Sequence, residues 1–199
     1  PAHNGSLSPK FVEQIKSDYT HFRKINNETF GGFGGRWTRY QDSIVDADAE
    51  KRQVRFNEKW ALGGFHFLNS FADLGASDEH NKFAADYVRD KIRSIVNDSD
   101  TAELLCPDQV IGCKRLCVDT GYFETFNRDS VTLVSVKEHP IEKITEKGLV
   151  TNGQEYEFDV IVFATGFDAM TGSLLSIDIK GRNGQPLREK WEAGPRTYL

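Results

Sequence analysis

The sequence predicts an α/β protein, and three observations carry that reading. Apolar residues in the first half recur at helical spacing, and from residue 131 the period shortens to that of β-strands. Third, Tyr156 to Asp168 runs from a polar lead-in through Val160-Ile161-Val162-Phe163 and stops abruptly at Ala164-Thr165-Gly166. An apolar run without alternation suggests a strand buried on both faces, as in a parallel sheet covered by helices. A turn of small residues at the carboxyl end of such a strand is where α/β sheets bring their backbone close to a ligand. Any buried strand that ends in a turn gives the same pattern, so the pattern by itself leaves the ligand open.

The elements follow in order. Ser8-Pro9 supplies a cap and a first-turn proline for a helix whose apolar stripe is Phe11, Val12, Ile15, Tyr19, Phe22 and Ile25. Gly31-Gly32-Phe33-Gly34-Gly35 ends it. No strand precedes that glycine cluster and it lacks the Gly-x-Gly-x-x-Gly register, so it reads as a flexible turn and not as a phosphate cradle. A charged helix is expected from Asp46 to Trp60, stopped by Gly63-Gly64 and followed by a packing cluster of Phe65, Phe67, Leu68 and Phe71. Ser77-Asp78-Glu79 opens a further helix with Phe83, Ala84, Tyr87, Val88, Ile92, Ile95 and Val96 on its buried face. Asp100-Thr101 is expected to cap a short turn through Leu105. Strands are expected at Val131–Val136 and Ile141–Ile144. A hairpin over 149–163 turns at Asn152-Gly153. Gly181 to Gly184 reads as a turn, and Leu187 to Trp191 as a short element.

Composition narrows the function classes. The chain has 199 residues, 38% of them hydrophobic and 28% charged, with a net charge of −5. An acidic balance without a basic block argues against a nucleic-acid footprint. No apolar run approaches the roughly 18–20 residues that span a bilayer, and the N-terminus lacks the pattern of a secretory signal, so a cytoplasmic protein is expected. Cys106, Cys113 and Cys117 are an odd number, lack Cys-x2-Cys spacing and have no histidine close in sequence. They read as buried or half-buried thiols and not as zinc ligands. The five histidines are scattered, and no metal site is expected.

One stretch stands out chemically. In Ile111-Gly112-Cys113-Lys114-Arg115-Leu116-Cys117-Val118-Asp119, adjacent cations are embedded in an otherwise apolar, strand-like segment. A cation among apolar neighbours is costly to bury unless it meets an anion. Two readings stay open on this pattern: a solvated edge or internal salt bridge, and an anion site for a phosphate or an oxygen-centred intermediate. Lysine suits a point phosphate charge; arginine suits a forked contact.

Several blocks together resemble the type I Baeyer–Villiger monooxygenases, the group of the cyclohexanone, phenylacetone and steroid monooxygenases. These are the Gly-rich 31–34 region, Trp60 with Gly63-Gly64-Phe65, Ala84 to Ile92, Gly112 to Arg115, Thr120 to Arg128, and Phe163-Ala164-Thr165-Gly166-Phe167-Asp168-Ala169-Met170-Thr171-Gly172. The tail continues the likeness with Gly181, Leu187-Arg188-Glu189-Lys190-Trp191, Gly194 and Thr197-Tyr198-Leu199.

The resemblance implies a partial two-dinucleotide-binding, Rossmann-like flavoprotein fold with a helical insertion. It assigns 1–110 to the helical insertion of the NADP domain, 111–160 to the remainder of that domain, and 161–199 to the start of the return into the FAD domain. It further implies FAD and NADPH as cofactors, and a ketone and O2 as substrates that yield an ester or lactone. Arg115 becomes the active-site arginine that stabilises anionic oxygen and contacts the nicotinamide. Lys114 becomes a contact of the NADPH 2′-phosphate, while Ala164, Thr165 and Gly166 bring backbone near the cofactors. The family's two Gly-x-Gly-x-x-Gly fingerprints and its Phe-x-Gly-x-x-x-His segment are absent from these 199 residues. The expectation is therefore an internal stretch of a longer enzyme, inactive as given and partnered by flanking parts of its own parent chain. The alternatives are a related flavin monooxygenase acting on nitrogen or sulfur, and a standalone binding module that uses the helical half as a partner surface.

Overall fold

A computed structural model describes residues 5–29 and 40–196. The Gly31–Gly35 cluster and the Thr197-Tyr198-Leu199 tail lie outside the described residues. The chain divides into two compact units, Pro1–Ser135 and Val136–Leu199.

The first unit is helical. Helix α1 spans Pro9–Ser17, with the Ser8 hydroxyl accepting from the Phe11 N–H at 3.2 Å. The single helix expected through Ile25 is broken at Asp18 (φ −140°, ψ 64°), and α2 begins at Tyr19 and runs to Glu28. The break has a local cause. The Asp18 carboxylate accepts from the His21 N–H at 3.0 Å, offering the backbone a capping bond in place of the helical ladder. Helix α3 spans Ala49–Leu62, capped by Asp48 and ended by Gly63 at φ 69°. A 3-10 turn at Gly64–Asn69 follows. Helix α4 spans Asp78–Ile95 with Ser77 as its cap. Helix α5 spans Ser99–Leu105; its cap is Asp98, two residues ahead of the expected Asp100-Thr101. Helix α6 is a single turn at Tyr122–Thr125.

The core lies between α3, the 3-10 turn and α4. Phe56 stacks on Phe67 at 5.3 Å and meets Tyr87 at 5.0 Å and Phe71 at 5.6 Å, while Trp60 presents its edge to Phe67 and Tyr87. Tilted and edge-on ring pairs of this kind add about 0.5–1.5 kcal/mol each beyond their buried area. Burial also pushes the Tyr87 hydroxyl up to about 12, and it donates to Asn57 Oδ1 at 2.8 Å. A second cluster of Ile92, Val96 and Ala102 packs with Phe123 and Phe126. Asp73 fastens the loop that leads into α3. It accepts from the Ser43 hydroxyl at 2.5 Å and the Ile44 N–H at 2.9 Å, with His80 Nε2 at 3.3 Å.

The second unit holds an antiparallel sheet in the order β1-β2-β3, with β1 at Ile141–Ile144, β2 at Gly148–Thr151 and β3 at Gln154–Glu157. Asn152 (φ 49°) and Gly153 (φ 68°) form the two-residue turn that the Asn-Gly signal predicts. At the other end of β2, a Cβ on Gly148 would lie 1.8 Å from the Tyr156 carbonyl oxygen, so only glycine fits. Single-turn helices α7 and α8 follow at Gly172–Leu175 and Leu187–Lys190.

Two expected strands are not strands here. Val131–Val136 has no ladder and enters a turn at Val136, and the apolar run that ends at Ala164-Thr165-Gly166 lies outside regular structure. Val162 is 81% and Phe167 100% exposed. A buried strand needs neighbours on both edges and cover on both faces. No described residue ladders with this run, and the one sheet formed by the described residues is antiparallel. No helix among them is long and apolar enough to cross a membrane.

Two outcomes follow for stability. Phe56→Ala removes the ring shared by three aromatic contacts and is expected to cost about 3–5 kcal/mol, read from urea unfolding of the first unit. For Asp73, burial pushes the carboxyl up, but the bonds from Ser43 and Ile44 outweigh it and the net shift is down from 3.8. A depressed folded value means that its stabilisation is complete above about 3.8 and lost as pH falls through the lower folded value. Asp73→Asn should flatten the acid limb of the stability curve, measured by unfolding at stepped pH.

Candidate functional site

Lys114 and Arg115 are exposed, yet the chain on either side of them is fixed. Upstream, Ile111 is buried in the aromatic core. Its N–H donates to Asn81 Oδ1 at 2.8 Å, and its carbonyl accepts from Asn81 Nδ2 at 2.9 Å. Gly112 then takes φ +92°, a conformation that favours glycine, with Leu68 Cδ2 3.7 Å from the position of a Cβ. The Cys113 N–H closes the turn onto the Val110 carbonyl at 3.2 Å. Downstream, Leu116 packs back against the core. The segment is thus a turn followed by irregular chain and not the strand its composition suggested, because Gly112 reverses the backbone where a strand would continue. The result is a pair of adjacent cations held between a buried anchor, Ile111, and a half-buried one, Leu116.

Arg115 has an aromatic neighbour. Its guanidinium lies 5.6 Å from the centroid of the Phe65 ring. Gly63 and Gly64, with φ of 69° and 59°, turn the chain between α3 and that ring. Such a contact is worth about 0.5–1 kcal/mol at an exposed site and limits where the guanidinium can swing.

Both cations line a cavity of about 780 Å³ in the first unit. Its walls are largely apolar, with Trp60, Val88, Ile92, Leu105 and Phe123 among them. That volume falls within the range of small-molecule and cofactor sites. Lys59, 1% exposed, also contributes to the wall, and its ammonium lies 4.8 Å from the Tyr40 ring centroid. The charged groups on the described lining are Lys59, Lys114, Arg115 and one carboxylate, Asp119. Asp119 accepts from the Tyr122 N–H at 2.9 Å, which ties it to the first residue of α6. The cavity therefore presents net positive charge beside apolar walls, which suits an anion attached to a flat organic group.

The other residues singled out by sequence lie in the second unit. Ala164, Thr165 and Gly166 are exposed and outside regular structure, with Gly166 at φ 80°. Of the cysteines, Cys106 is half-buried and burial pushes its thiol up, but Cys113 and Cys117 are exposed. Their exposure corrects the expectation of buried or half-buried thiols; they share the turn that presents Lys114 and Arg115 to solvent. No group of three or more His, Cys, Asp or Glu side chains among the described residues could hold a metal ion.

Phe65 and Asn81 went unrecognised in the sequence as parts of the site. Asn81 left a usable signal: an amide three residues before Ala84 and seven before Val88, on the predicted apolar face of α4. Phe65 left none, because it sits in a run of aromatics that all read as core. Phe65→Leu should lower the NMR order parameter of the Arg115 Nε–H while shifting the melting temperature by only a few degrees, about what 0.5–1 kcal/mol implies.

No protein-family model matches the chain. A Baeyer–Villiger monooxygenase of Pseudooceanicola batsensis is 40% identical over 178 residues, covering 82% of this chain and 32% of the relative. A phenazine N-monooxygenase of Lysobacter antibioticus is 39% identical over 204 residues, covering 100% of this chain and 37% of the relative. Among solved structures, OTEMO in complex with FAD and NADP superimposes with a TM-score of 0.90 at 37% identity, over 98% of this chain and 36% of that one. The chain spans about a third of the length of the curated relatives it matches.

Proposed function

We propose that this chain, a relative of the Baeyer–Villiger monooxygenases along its whole length, works within an FAD- and NADPH-dependent enzyme that inserts one oxygen atom of O2 beside a ketone carbonyl, giving an ester or lactone. One observation carries the reading: Lys114 and Arg115 stand side by side, anchored at Ile111 and Leu116, on a cavity of about 780 Å³ with apolar walls. The donor set fits a phosphorylated dinucleotide. A point cation and a forked cation meet phosphate and carbonyl oxygens, and the apolar wall meets a planar ring. These 199 residues contain no Gly-x-Gly-x-x-Gly, so the pyrophosphate cradles are not among the contacts assigned to them.

When bound, NADPH supplies hydride and FAD supplies the oxygen-activating chemistry. The chain's own residues bind, orient and stabilise. Lys114 is assigned to the 2′-phosphate of NADPH, where a flexible ammonium follows a compact dianion. Arg115 is assigned to the nicotinamide end and to negative charge that develops on oxygen during the reaction. Its guanidinium stays cationic throughout, and Phe65 limits its reorientation. A preorganised donor of this kind is worth roughly 3–4 kcal/mol of barrier. Ala164, Thr165 and Gly166 are assigned to a close approach of backbone to the cofactors; Gly166 has the positive φ that such an approach tolerates. In this reading 1–110 is the helical insertion of the NADP domain, 111–160 the rest of that domain and 161–199 the start of the FAD-domain return, in a cytoplasmic enzyme whose flanking parts complete both cofactor sites.

A second reading is N-oxygenation of an aromatic heterocycle, favoured by the 39% identity to the phenazine N-monooxygenase. Product analysis separates the two: an ester or lactone from a cyclic ketone supports the first, and an N-oxide without ester supports the second.

Two substitutions in the whole protein test the roles. Arg115→Ala should lower ester formation by about 10²–10³-fold while FAD stays bound, measured by product yield and flavin absorbance. Near-normal ester formation contradicts the role. Lys114→Ala should raise the Kd for NADPH about tenfold or more and leave NADH nearly unaffected, since only the former carries the extra phosphate.

A further inference from the structure

We infer that Asn81 is a positioning residue for the two cations: it acts through the backbone of Ile111 to fix where Lys114 and Arg115 present their charge. This rests on the assignment of Lys114 to the NADPH phosphate.

Asn81 is the fourth residue of α4 and is 2% exposed. A buried amide is retained only where its polar atoms are satisfied, and here the two short bonds both go to Ile111. Oδ1 accepts from the Ile111 N–H at 2.8 Å and Nδ2 donates to the Ile111 carbonyl at 2.9 Å, reproducing the paired bonds of a β-bridge with a side chain. Nδ2 lies 3.4 Å from the Leu74 carbonyl as well, tying in the turn that precedes α4. The same residue therefore joins the helix, that turn and the cation-bearing segment.

The distance along the chain is short. Ile111 precedes Lys114 by three residues and Arg115 by four, with Gly112 the only glycine between. Gly112 holds its turn at φ +92° beside Leu68, so an orientation fixed at Ile111 is carried into the next residues. Lys114 and Arg115 are exposed, and apart from the Phe65 ring beside Arg115 little packing of their own sets their direction. Bonds at Ile111 and packing at Leu116 do it instead. Releasing the Ile111 clamp leaves the cations present and charged but less well aimed, a loss of alignment and not of chemistry.

A double-mutant cycle on the whole protein tests this, with NADP+ as the titrant and calorimetry as the readout. The arms are Asn81→Ala, Lys114→Ala and the double variant. Asn81→Ala should weaken NADP+ binding about five- to tenfold with FAD content unchanged. In the double variant the loss should fall short of the sum of the two single losses, because Asn81 then has only Arg115 left to aim. A normal Lys114→Ala loss with an Asn81 effect that simply adds to it, or with no Asn81 effect, overturns the positioning role and leaves the cofactor assignment standing. An unchanged affinity in Lys114→Ala overturns the assignment and this inference with it. Should Asn81→Ala fail to fold, Asn81→Ser takes its place in the cycle, with the same non-additivity expected and the same additivity contradicting it.

Discussion

The seating of α4 against α3 is the constraint on which the cavity depends. Tyr87 sits on the same helix as Asn81, less than two turns further on, and is locked among Phe56, Phe67 and Trp60. That aromatic contact fixes the rotation of α4 about its axis. The rotation points Asn81 at Ile111, and Ile111 sets the start of the turn that carries Lys114 and Arg115. The 3-10 turn adds a second line from the same core: Phe67 is buried in it, while Phe65 and Leu68, neighbours in sequence, reach Arg115 and Gly112. Two exposed cations thus inherit their places from a packed interior.

Charge and apolar area meet where Lys59 is buried and where the Arg55 guanidinium lies 4.8 Å from the Phe71 ring centroid. In the aromatic core the Tyr87 hydroxyl is satisfied by Asn57, and among the charged groups of the first unit several lie in pairs on its surface, such as Asp42 with Lys51, or Arg93 with Glu103. Screened by solvent, such pairs contribute little to stability. Lys114 and Arg115 differ because their side chains line a cavity instead of a helix face, and a cavity with low-dielectric walls concentrates the potential of any charge placed on it.

Much of this was legible in the sequence where local rules govern. Ser8 and Ser77 each precede a run of helical period and each caps a helix; Asn152-Gly153 makes the turn its chemistry requires. Local rules also explain the break at Asp18, a capping residue hidden inside a periodic stripe. The sequence was less informative where structure depends on distant partners. The apolar run before Ala164 reads as a buried strand, but pairing is a property of neighbours, and no described residue provides it. Within the site, Lys114 and Arg115 drew notice as cations in an apolar stretch, and their likeness to a known family supplied roles. What holds them was not visible, because the Asn81–Ile111 bonds span 30 residues and Phe65 is one aromatic among several.

The most direct measurement is an amide NMR titration of the whole protein with NADP+. The account predicts that the largest shifts fall on Gly112 to Leu116 and on the indole N–H of Trp60, with the β1–β3 hairpins silent. Saturable shifts centred elsewhere, with residues 112–116 unmoved, would contradict the claim that this pair of cations is the anion site.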